Sequence, residues 1–72
     1  MRMYSVAFIS FHDNVLHQVK CFSMSEIDAC VDGLLALGQL NDVDVSSYRL
    51  LSLERLKNEL FDMDATISVI PV

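Results

Sequence analysis

The chain has 72 residues, 53% of them hydrophobic, and ten acidic against five basic side chains give it a formal net charge of −5. That length makes one small domain, and a composition with two glycines and one proline excludes a disordered or low-complexity chain. Two cysteines exclude a disulfide-framed mini-protein, and no run approaches the ~18 apolar residues of a membrane span.

The first predicted element is a β-hairpin. Residues 3–11 and 15–22 are rich in β-branched and aromatic side chains, and Asp13-Asn14 between them suits a two-residue turn. That turn would set His12 opposite Val15, Ser10 opposite His17, Phe8 opposite Val19 and Val6 opposite Cys21. These pairs form the core face. The other face carries Ile9, Phe11, Leu16 and Phe22 beside Gln18 and Lys20, a mixed surface for one side of a ribbon.

A helix is predicted next. Ser23 and Glu26 have the spacing of a capping box, and Ile27, Cys30, Val31, Leu34 and Leu35 recur at helical intervals. Gly38 is placed to end this helix in the left-handed conformation. Asp28 and Asp32 lie one turn apart on the opposite face, a like-charge pair that costs a few tenths of a kcal/mol in an isolated helix. Gly33 costs up to ~1 kcal/mol more relative to alanine, and local stability alone does not explain the acidic pair.

Residues 41–52 read as a short strand near 47–51 feeding a second helix, with one longer helix as the competing reading. Ser52-Leu53-Glu54 marks a helix start, and Leu53, Leu56 and Leu60 form its stripe. Thr66-Ile67-Ser68-Val69 alternates as a half-buried strand, with Pro71 suited to a strand end or sheet edge. The expected order is ββαβαβ or ββααβ, an α+β domain with two helices packed on one face of a mostly antiparallel sheet. Its core is expected to hold Val6, Phe8, Val19, Ile27, Val31, Leu34, Leu56, Leu60, Ile67 and Val69.

Several residue groups could carry chemistry. His12, His17, Cys21 and Cys30 are zinc-ligand types, but His17 and Cys21 are ~13 Å apart along a strand, too far to share one ion. Ser10 opposite His17, with Asp13 nearby, has the residue types of a nucleophilic site without an oxyanion hole or cleft. Asp42-Val43-Asp44 and Asp62-Met63-Asp64 lack the glycine and distal glutamate of a calcium loop. Cys21 and Cys30 read as small buried hydrophobes of a reducing compartment. No catalytic residue, metal or cofactor is expected.

What distinguishes the chain is where its charge lies. Between Cys21 and Tyr48 every charged side chain is acidic: Glu26, Asp28, Asp32, Asp42 and Asp44. Such a segment favours a basic protein surface and disfavours nucleic-acid phosphates or an anionic membrane. Asp28, Asp32, Asp42 and Asp44 are the expected contacts to a larger basic protein. In size and charge the chain resembles small accessory or counter-defence proteins of phages and mobile elements, which implies a non-enzymatic inhibitor occluding a basic, nucleic-acid-binding surface. The alternative is an obligate homo-oligomer, a homodimer in the simplest case, joined through Ile9, Phe11, Leu16 and Phe22 and serving as a structural or small-ligand-binding subunit. The N-terminal run is broken by Ser5 and Ser10, unlike a signal peptide's apolar region, so a cytoplasmic location is expected.

Overall fold

The computed structural model describes the backbone of residues 1–72 and every side chain except those of Asp42 and Val43. Strands β1 (Arg2–Ser10) and β2 (Val15–Ser23) are followed by helices α1 (Glu26–Ala36), α2 (Asp42–Arg49) and α3 (Leu53–Asp62) and by strand β3 (Ala65–Pro71). The sheet is antiparallel in the order β2-β1-β3. No helix is long and apolar enough to cross a membrane.

The alternation of β1 sets the layers. Tyr4, Val6 and Phe8 are buried beneath the helices, whereas Ser5, Ala7 and Ile9 point to the other, helix-free face. Val6 pairs with Val19 and Val69, and Phe8 with His17 and Ile67. The expected faces are therefore correct, but the hairpin register is shifted by two residues. Ser10 opposes Val15, and residues 11–14 form a longer turn than Asp13-Asn14 alone. Asn14 takes the left-handed conformation at φ 55°, its N–H donates to the Ser10 carbonyl, and the Asp13 carboxylate accepts from the Val15 N–H. A slip of two residues keeps every side chain on its own face, so the hydrophobic pattern could not detect it.

In α1 the capping residue is Ser25, whose hydroxyl accepts from the Asp28 N–H, rather than Ser23. The helix ends as predicted: Gly38 at φ 72° donates to the Leu35 carbonyl while the Gln39 N–H reaches that of Leu34. Gly33 has a tertiary cause. A Cβ there would lie 2.9 Å from Val6 Cγ1 and 3.3 Å from Val19 Cγ1, so its absence lets α1 settle onto the sheet.

The segment 41–52 contains neither the short strand nor one long helix. It holds α2 and then a break at Leu50-Leu51-Ser52, making three helices rather than two. Ser52 is extended, and its hydroxyl accepts from the Arg55 N–H, which starts α3 afresh. Val6, Phe8, Val31, Leu34, Leu56, Leu60 and Ile67 are buried, and Val19, Ile27 and Val69 pack around them half-buried. Tyr4, Ala29, Cys30 and Ala65 complete the core.

Candidate functional site

Acidic side chains are absent from the strands. All ten lie in helices or connecting segments, whereas the strands carry only Arg2 and Lys20 and the helices hold Arg49, Arg55 and Lys57. Arg2 stands 5.8 Å from the Tyr4 ring on the helix-covered side. Lys20 shares the parity of Leu16, Gln18 and Phe22, so among the described residues it is the one charge on the helix-free face.

Within the helical layer, the acidic pair of α1 is matched from inside the molecule. Arg49, at the end of α2, places Nη1 2.9 Å from Asp28 Oδ1 and Nη2 2.5 Å from Asp32 Oδ1. The remaining carboxylate oxygens accept from serines, Asp28 Oδ2 from Ser25 Oγ at 3.0 Å and Asp32 Oδ2 from buried Ser23 Oγ at 2.8 Å. Hydrogen bonds to the two carboxylates push the already high Arg49 pKa higher still. Sequence periodicity sees Asp28 and Asp32 as a repelling pair. Folded, they are the receptor for one guanidinium, whose fork suits two carboxylates. Arg49 is the first basic residue after Lys20, and that position was the one available signal of its role.

Asp44 is exposed on α2, and the Asp42 side chain lies outside the described residues. Asp44 and Glu59 line a shallow cavity of about 250 Å³ between α2 and α3, together with Ser47, Tyr48 and Leu51. Among the described residues, Glu26, Asp44, Glu54, Glu59 and Asp62 form no ion pair. Two carboxylates, a phenol and a hydroxyl around an open recess can receive a basic side chain.

The expected apolar interface residues do not form one patch. Ile9 opposes Leu16 near the hairpin turn, whereas Phe22 lies at the far end of β2. Phe11 leaves the strand and packs edge-on against Phe61 of α3, the ring centroids 6.2 Å apart. Leu16, Phe22 and Phe61 remain exposed, at 53%, 59% and 67%.

The other constellations are dispersed. Because of the register shift, His17 opposes Phe8, its ring 6.2 Å away, and not Ser10. His12 lies 3.5 Å from Asp64 at the surface. Both cysteines are free thiols, and burial raises the Cys30 pKa to about 11. A second cavity, of about 190 Å³, has Phe8, Leu60 and Ala65 as its floor and Ser10, His12, Gln39 and Met63 around it. It falls below the ~300–1,000 Å³ usual for small-molecule sites. Comparison with known protein families, with curated proteins and with solved structures finds no match.

Proposed function

We propose that this protein is a non-enzymatic binding module that presents its acidic helical layer to a basic surface of a larger protein. The observation that carries this reading is that the strands hold no acid, whereas every acidic residue except Asp13 of the hairpin turn lies in the helices or in the segments that flank them. A layer in which acids outnumber the bases Arg49, Arg55 and Lys57 attracts an oppositely charged partner and accelerates encounter. Since Asp28 and Asp32 are engaged by Arg49, the contact is assigned chiefly to Asp44 and Glu59 at the recess between α2 and α3. Surfaces that bind nucleic acid are basic, so occlusion of such a surface is the form of inhibition this charge suits.

The test is capture from native extract at low ionic strength, followed by elution with rising salt. With the eluted partner in hand, Asp44→Asn combined with Glu59→Gln should slow association about tenfold while leaving the melting temperature unchanged. A partner that binds this variant as fast as wild type at low salt overturns the assignment. The second reading, a homo-oligomer, is favoured by the helix-free sheet face and its exposed Leu16 and Phe22.

A further inference from the structure

We infer that the free edge of β2 is a self-recognition site, at which two copies pair antiparallel about Val19 and join their sheets into one of six strands. The inference goes beyond the acidic-layer reading and does not depend on it. It also differs from a stacking of sheet faces, because the contact is made by backbone along one strand.

The phase of the backbone hydrogen bonds comes first. The Phe11 N–H donates to the Asp64 carbonyl and the Val72 N–H to the Met3 carbonyl, so the odd residues of β1 bond toward β3. In an antiparallel ladder the even residues then bond toward β2, where their partners are Val15, His17, Val19 and Cys21. The N–H and C=O groups of Leu16, Gln18, Lys20 and Phe22 consequently point away from β1. Among the described residues no strand pairs with them there.

The two edges of the sheet are guarded differently. On β3 the same phase directs the backbone of Ala65, Ile67, Val69 and Pro71 outward, and Pro71 has no N–H to offer a further strand. β2 is nine residues long with no proline, and Lys20 is its only charge. An unguarded edge of that length is a template for another strand.

The sequence of β2 selects the occupant. Pairing about Val19 sets Leu16 against the partner's Phe22, and Gln18 against the partner's Lys20, each twice by symmetry. All four are residues whose backbone faces the free edge, so the register satisfies the ladder. It also brings together two apolar side chains that sit exposed at opposite ends of one strand. Centring on Lys20 instead would oppose two lysines. Centring on Gln18 would set Leu16 against the partner's Lys20. Two acids lie close to β2: Asp13 accepts from the Val15 N–H at the turn end, and Asp32, which accepts from Ser23 at the other end, is already compensated by Arg49. Both helical layers would lie on the same side of the joined sheet, leaving the recess at Asp44 and Glu59 open.

Sedimentation of the full chain at tens of micromolar tests the proposal, with two substitutions at exposed Gln18. Gln18→Lys opposes two lysine pairs in this register and should raise the dimer dissociation constant about tenfold, whereas Gln18→Glu creates two ion pairs and should lower it. Amide exchange supplies a second readout: the N–H groups of Leu16, Gln18, Lys20 and Phe22 should gain protection as concentration rises. A monomer at high concentration overturns the inference. So does a dimer that leaves those four amides unprotected, or one to which both Gln18 variants are indifferent.

Discussion

Arg49 shows how one side chain can change the meaning of two others. Its guanidinium turns the Asp28–Asp32 pair from a local repulsion into the tie between α1 and α2. The groups are about a third exposed, so solvent screening holds their contribution to roughly 1 kcal/mol. Arg49→Ala should lower urea-unfolding stability by about that much. Asp28→Asn with Asp32→Asn should also destabilise, because it leaves Arg49 without its carboxylates; a stabilised double variant would show that the ion pairs contribute nothing. Gly33→Ala tests the close approach of α1 to the sheet. Alanine gains ~1 kcal/mol of helix propensity, but the new methyl meets Val6 Cγ1 at 2.9 Å and the branched Val6 Cβ at 3.2 Å. Overpacking of this kind costs ~1–3 kcal/mol, so the melting temperature should fall. Cys30 makes a pH-dependent contribution. Burial favours its neutral thiol and raises its pKa to about 11, against ~8.5 in an unfolded chain. Its stabilisation is therefore complete below pH ~8.5 and is lost as pH rises toward 11. Cys30→Ala should flatten that alkaline decline in denaturation curves.

Among the elements, α2 is the least anchored. Asn41 supplies no side-chain cap to it, its described side chains are exposed or half-buried, and its principal helix contact is α1. Helical stability in a protein comes mostly from packing an apolar face. The amides of Asp42–Arg49 should accordingly exchange faster than those of α1 and α3, measured by native-state hydrogen exchange. Equal protection across the three helices would mean that the Arg49 tie alone holds α2 as firmly as a packed face does. The elements differ in how far local sequence announced them. Alternation in β1 and β3, the Leu53-Leu56-Leu60 stripe and the Gly38 stop are local signals. The α2 segment offers only a weak apolar signal, with Tyr48 half-buried against the core, and its tie to α1 runs through Arg49 reaching across to another helix.

For the whole molecule, the sheet has one covered face and one open one, and the core is small. Phe8, 4% exposed and central to that core, should be indispensable. Phe8→Ala removes ~3–5 kcal/mol, comparable to the net stability a domain of this size can reach, so the variant should be unfolded by circular dichroism at room temperature. A folded Phe8→Ala protein would place substantial stabilisation outside this core, with the β2 edge contact as the first place to look.

By itself, the sequence determined which residues face inward, the order of all elements except α2, and the excess of acid over base. Those follow from side-chain periodicity and composition, which are properties of neighbouring residues. Only the tertiary structure decided the hairpin register, because a two-residue slip leaves every side chain on its own face. It alone decided that Asp28 and Asp32 are bound by a residue 21 and 17 positions away. It also decided which backbone groups of β2 face away from β1. Each of these depends on contacts between elements, whose hydrogen-bond phase and charge pairing arise only when the chain brings distant residues together.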